Sequence, residues 1–132
     1  MFVDTSVLVA ILADEPDAGA FAHKLAQAPH CYTSGLVVLE AAVRLSRRLN
    51  VDPAVAEAHI QQVLDEARIS IVPINGSIAR RAVAAFATYG KGGSHPAQLT
   101  LPDCMSYACA RAYRVPLLSK ASAFLHTDIL AA

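Results

Sequence analysis

A chain of 132 residues, 55% of them hydrophobic, is long enough for one domain with a real core and too apolar for disorder. Eleven basic and eleven acidic residues cancel, so no global field gathers a polyanion and any nucleic-acid contact has to be local. No apolar run approaches the roughly 18 residues of a membrane span, and the first residues lack the basic region of a signal peptide. The sequence therefore reads as a soluble cytoplasmic protein with no membrane partner. Its apolar content also fits a hydrophobic surface covered by another chain. Cys31, Cys104 and Cys109 form no C-x-x-C pair, which supports neither a disulfide framework nor a zinc ribbon and leaves them as small buried hydrophobes.

In chain order, the apolar start predicts a buried strand ending at Asp4, with a helix from Ser6 to Ala13. Asp14-Glu15-Pro16-Asp17 is a loop, and Asp17 is placed to cap a second helix with Phe21, Leu25 and Ala28 inward and Pro29 at its end. Cys31-Tyr32-Thr33 is a second strand. Ser34 and Gly35 open a third helix, in which Leu36, Leu39, Val43 and Leu45 repeat at helical spacing around one acid, Glu40, with Arg44, Arg47 and Arg48 following. Asp52-Pro53 starts a fourth helix, to about Arg68, with Val55, Ile60, Val63 and Leu64 inward.

Ile69 to Ile74 reads as a third strand, and Ser77 as the cap of a helix from Ile78 to about Tyr89. Gly90-Lys91-Gly92-Gly93-Ser94-His95-Pro96 is the one clearly extended loop and the most flexible stretch. It lacks the spacing of a P-loop. Thr100-Leu101-Pro102-Asp103 has the spacing of a capping box with Asp in place of Glu, and Met105, Ala108, Cys109 and Ala112 continue one helical face. Val115 to Leu118 is a last strand ending at Ser119-Lys120, followed by a short helix or turn and an extended tail.

Three acids stand out. Asp4 ends a strand, Glu40 lies inside an apolar helix and Asp103 begins a late helix. Burying a carboxylate between Val3 and Val7 is costly without hydrogen bonds or a cation, and ligands of parallel α/β sheets gather at the carboxyl ends of strands. Each acid has a plainer role: Asp4, Thr5 or Ser6 as a helix cap, Glu40 paired with Arg44, Asp103 in its box. Brought together, three such acids would stay ionised only beside a cation, which is the chemistry of an oxygen-ligated Mg²⁺ or Mn²⁺ site. Arg44, Lys91 and Lys120 are the basic residues placed to hold neighbouring phosphates.

These pieces carry a resemblance. F-V-D-T-S, S-G-L-V-V-L-E-A-A, the Y-G-K-G…H-P-A-Q-L-T-L-P-D-C-M-S-Y-A segment and P-L-L-S-K…F-L-H-T-D-I together resemble a PIN-domain ribonuclease, specifically a VapC-type toxin of a type II toxin–antitoxin pair, over the whole length. The resemblance implies a single PIN domain over residues 1–132, with a three-layer α/β/α fold around a central, mainly parallel sheet. It implies endonucleolytic cleavage of RNA by metal-activated water, with Mg²⁺ (or Mn²⁺) as cofactor. Asp4, Glu40 and Asp103 become the catalytic and metal-binding acids and Ser6 orients Asp4. Its further implications are a cognate VapB-like antitoxin and a homodimer.

One segment departs from the family. Where a closing run normally brings acids before a phenylalanine, the chain has Lys120-Ala121-Ser122-Ala123-Phe124, so the carboxylates expected at Ser122 and Ala123 are absent and Asp128 is the nearby acid left to complete a metal site. A catalytically impaired PIN domain that binds an antitoxin, and RNA, is the alternative this departure raises. A phosphotransfer protein using Asp4 is the competing enzyme class, but Asp4-Thr5-Ser6 lacks the D-x-D that such a haloacid-dehalogenase site needs.

Overall fold

The computed structural model describes residues 1–132. Its centre is a four-stranded, wholly parallel sheet of β1 (Phe2–Val3), β2 (Cys31–Ser34), β3 (Ile69–Val72) and β4 (Leu117–Leu118), in the order β3-β2-β1-β4. Six helices flank it in an α/β/α arrangement: α1 (Thr5–Leu12), α2 (Ala18–Gln27), α3 (Gly35–Leu49), α4 (Pro53–Glu66), α5 (Gly76–Tyr89) and α6 (Leu101–Ala112). Helices α1 to α4 pack among themselves, α5 packs on α6, and α6 also meets β1 and β4. A 3₁₀ turn, Ser122–His126, follows β4, and Ala131 returns to bridge Leu117.

The strand order places the site. The chain builds outward from β1 to β2 to β3, then crosses back to lay β4 on the other side of β1. In parallel sheets ligands bind at such a reversal, outside the carboxyl ends of the strands. The register pairs Val3 with Leu118, so the residues that follow, Asp4 and Ser119, leave the sheet side by side. Phe2, Val3 and Leu118 are fully or almost fully buried beneath them, with Leu8 of α1 and Leu45 of α3, so the floor of the site is rigid core.

Several expectations shift. On α3 the inward residues are Val37, Ala41, Ala42 and Leu45, whereas Leu39 is 61% exposed and Leu36 and Val43 are half-buried. The leucines suggested one stripe, but small alanines let α3 pack closely on α1 and α4, and close approach decided the face. On α4, Ala56, Ile60 and Leu64 are buried and Val55 is exposed, for the same reason. Asn75, rather than Ser77, caps α5 by accepting from the Ile78 amide at 3.0 Å. Asp17 sits at the N-cap of α2 without capping it, because its carboxylate accepts from Lys120 instead. Strands β3 and β4 stop short of Ile74 and start later than Val115, at Val72 and Leu117. All three cysteines are free and buried.

The glycine-rich loop is stitched rather than open. Lys91 N donates to Leu99 O and Leu99 N to Tyr89 O, both at 2.8 Å. Inside that closure the Gln98 side chain donates to the carbonyls of Gly93 and His95 and accepts from the Gly92 amide. Gly92 has φ +94, a conformation glycine adopts without cost. Gly90 is required for space: a Cβ there would stand 2.5 Å from a Phe86 ring carbon.

Candidate active site

Asp4 occupies the N-cap position of α1 with extended backbone, yet its side chain caps nothing. Both oxygens turn instead to serine hydroxyls. Ser106 of α6 donates to Oδ1 at 2.9 Å, and Ser6 and Ser119 each donate to Oδ2 at 3.0 Å. Asp4 is buried, 6% exposed. A carboxylate accepts about four hydrogen bonds, so three donors fix its plane and leave one acceptor direction open. The hydroxyls satisfy the buried group without neutralising it, and so it keeps its capacity to bind a cation.

Glu40, on α3, is tied to the residue that follows Asp4. Thr5, the residue after Asp4, donates to Glu40 Oε1, and Arg44 one turn on pairs with Oε2 at 3.4 Å. Asp103 realises its capping box: Oδ2 accepts from the Thr100 amide at 2.9 Å while Thr100 Oγ1 accepts from the Asp103 amide at 3.3 Å. Its Oδ1 has no protein partner. Asp103 and Ser106 are three residues apart on α6 and share a helix face, so the serine that grips Asp4 carries Asp103 toward it.

The donors are all oxygens, the set that suits Mg²⁺ or Mn²⁺ rather than zinc. In type they fit such a cation. The side chains are not gathered round one, however, and no three Asp, Glu, His or Cys residues stand close enough together to hold a metal ion. Glu40 is turned to Thr5 and Arg44, and Asp103 to its cap.

Asp128 stands elsewhere. It accepts from the Tyr107 hydroxyl and pairs with Arg111 at 3.9 Å, where it lines a recess of about 520 Å³ with Arg81, Arg114 and Pro116, beside the residue that leads into β4 rather than the one that leaves it. Tyr107 lowers the Asp128 pKa by hydrogen bonding to its charged form, while burial and that same bond push the phenol up. Ser122 is exposed at the start of the 3₁₀ turn and Ala123 packs against the core. Of the run after Lys120, it is Ala121 that faces the site, lining a recess with Ser6 and donating from its amide to Ser119 Oγ at 3.0 Å.

That recess, of about 370 Å³, brings Arg44 and Lys120 together with Arg48, Glu15, Ser6 and Ala121. Lys91 is exposed on the α5–α6 loop, its backbone tied to Leu99 just before the Thr100 cap. Sequence reading missed Thr5 as the link to Glu40, and Ser106 and Ser119 altogether. A serine facing inward on an otherwise apolar stretch of α6 was the available signal.

Comparison with known proteins bears on this site. The PIN-domain family model matches residues 1–130. Ribonuclease VapC28 of Mycobacterium tuberculosis is 41% identical over 129 residues, covering 98% of this chain and 95% of that protein. Ribonuclease VapC of Mycolicibacterium smegmatis is 39% identical over 131 residues, with 99% and 98% covered. In fold the chain resembles VapC20 of M. tuberculosis, described as a sarcin-ricin loop cleaving toxin (TM-score 0.75, 21% identity, 99% of this chain and 97% of that one). It also resembles a chain of a Klebsiella pneumoniae toxin–antitoxin complex (TM-score 0.73, 20% identity, 99% and 95%). With an all-parallel sheet that reverses beside Asp4 and full-length matches at this identity, the chain belongs to the PIN-domain family and, within it, to the VapC ribonucleases.

Proposed function

We propose that the chain is the toxin ribonuclease of a toxin–antitoxin pair, a divalent-metal-dependent endonuclease acting on RNA through Asp4, Glu40 and Asp103. The observation that carries this reading is the buried Asp4 carboxylate, clamped by three hydroxyls at the sheet reversal. Asp4, Glu40 and Asp103 would hold Mg²⁺ or Mn²⁺, which when bound activates water and offsets charge on the phosphoryl oxygens. The protein's own contribution is positional. Ser6, Ser106 and Ser119 hold the plane of Asp4, and Thr5 holds Glu40 beside it. Asp103 keeps one oxygen free while its cap fixes the other. Arg44 and Lys120 flank the acids as phosphate contacts, and Lys91 offers another from the loop.

Single-stranded loops are the target class, because unstacked bases are what sequence-specific RNA readers use and aromatics make up only 6% of this chain. An antitoxin and a second copy of the chain are the proposed partners. The support is apolar side chains left in water: Leu39 on α3, Val83 and Phe86 on α5 and Leu101 at the start of α6 are all exposed. No helix is long and apolar enough to cross a membrane, in keeping with a single domain acting in the cytoplasm.

The test is cleavage of an RNA stem–loop with Mg²⁺ or Mn²⁺ by the wild-type protein and by Asp4→Asn, which keeps the size of the side chain and removes its charge. Loss of at least roughly a hundred-fold in the variant is expected. Cleavage that survives the substitution would assign the activity to another source. A second reading, a PIN domain that binds its partner but is catalytically weak, draws on Ala121, which lines the recess where an acid would reach the site. Mn²⁺ titration by calorimetry separates the two: measurable binding that Asp4→Asn abolishes favours the enzyme, and none favours the weakened form.

A further inference from the structure

The recess beside Ser6 holds an ion-pair network centred on Glu15, a residue with no part in the catalytic reading or in the core. Glu15, on the turn between α1 and α2, accepts from Arg48 through Oε2 and from Lys120 through Oε1. Its side chain is only 15% exposed, although it lies on a turn. Lys120 also pairs with Asp17 at 3.0 Å, and Arg44 with Glu40 at 3.4 Å. The three cations facing the recess are therefore each matched by an acid. Only Ser6 separates this network from Asp4: its hydroxyl donates to Asp4 and accepts from the Lys120 amide at 2.9 Å.

A carboxylate gripped by a guanidinium on one oxygen and an ammonium on the other presents to them the same two-oxygen face as a phosphodiester. Resting on the ribonuclease reading, we propose that this recess is a phosphodiester subsite for RNA next to the acidic centre. Glu15 is its resident counter-ion, occupying the place between Arg48 and Lys120 that a backbone phosphate takes. When RNA enters, the Glu15 side chain swings out on its turn and the two cations exchange a carboxylate for a phosphate. Glu15 thereby sets how tightly RNA is held. A chain of zero formal net charge has no long-range attraction for RNA, so local control of this kind decides binding.

The test is fluorescence anisotropy of a labelled single-stranded RNA oligonucleotide in EDTA, where binding is read without cleavage, across about 50 to 200 mM salt. Glu15→Gln keeps the shape and removes the charge. It is expected to tighten binding about five-fold at low salt, the scale of one surface ion pair, and to steepen the salt slope by roughly 0.7, one single-strand phosphate contact. Lys120→Ala and Arg48→Ala should each weaken binding and flatten the slope by a similar step. If Glu15 merely fastens the α1–α2 turn to α3, Glu15→Gln lowers the melting temperature and leaves affinity and slope unchanged, which overturns the inference alone. If no form of the protein binds RNA in EDTA, the subsite fails, while the ribonuclease reading stands or falls separately on the cleavage assay with Mg²⁺ or Mn²⁺.

Discussion

Ser106→Ala is the sharpest probe of the site, because the two oxygens of Asp4 are not equally provided for. Oδ2 has two hydroxyl donors, Ser6 and Ser119, while Oδ1 has Ser106 alone at 2.9 Å. Ser106 is 3% exposed, so no water readily replaces its hydroxyl, and the substitution leaves a buried, charged oxygen without a donor. A hydrogen bond to a charged group contributes about 1.5–3 kcal/mol. Ser106→Ala is therefore expected to lose about 2 kcal/mol in urea denaturation at neutral pH. Ser119→Ala and Ser6→Ala should each lose less, since Oδ2 keeps one donor in either case. A double-mutant cycle with Asp4→Asn assigns the loss to this contact: most of the cost should vanish when the charge is already gone. Equal losses from all three serines, or a Ser106→Ala penalty that persists in Asp4→Asn, would show that the hydroxyls serve packing and not the carboxylate.

Tyr107→Phe removes the phenol that holds Asp128 and should destabilise by about 1 kcal/mol, the carboxylate being largely exposed. Because the folded-state pKa of Asp128 lies below its ordinary value of 3.8, this contribution is present above that pH and is lost as pH falls through the depressed value. The wild-type advantage over Tyr107→Phe, followed by denaturation against pH, should shrink in acid, and an advantage that grows in acid would refute the assignment. Gly90→Ala forces a Cβ against the Phe86 ring and carbonyl and should cost about 1–3 kcal/mol, read as a lower melting temperature. Ala121→Asp should strengthen Mn²⁺ binding in calorimetry more than Ser122→Asp does, since position 121 lines the recess beside Ser6 and position 122 is exposed; the reverse order would displace the site.

What the sequence showed of the fold was its local chemistry. Ser34, Asp52 and Thr100 cap helices where expected, because a cap is settled within three residues. The face a helix buries is settled by its neighbours. Leu39 stands in water while Ala41 and Ala42 are covered, since α3 lies against other helices and the smaller side chains let it lie closer. The loop after α5 shows the same limit: three glycines mark the loop, but the contacts that Gln98, beyond them, makes across it with its side-chain amide follow no local pattern.

The site divides the same way. Asp4, Glu40 and Asp103 could be picked out one at a time, because an acid among apolar residues is conspicuous wherever it falls. Their supports could not. Ser106 and Ser119 lie 102 and 115 residues from Asp4, and serine is common enough that neither stands out until β4 is laid beside β1. Glu15 reads as a loop acid until the fold sets it between Arg48 on α3 and Lys120 after β4. The parallel register puts Asp4 and Ser119 side by side, and the reversal of strand order brings Lys120 across to the turn after α1. The same topology that sets Asp4 beside Ser119 thus assembles the basic recess next to it, so changes in Glu15 should register in RNA binding without touching Asp4. Changes in Ser106 should register in Asp4 without altering the salt dependence of RNA binding.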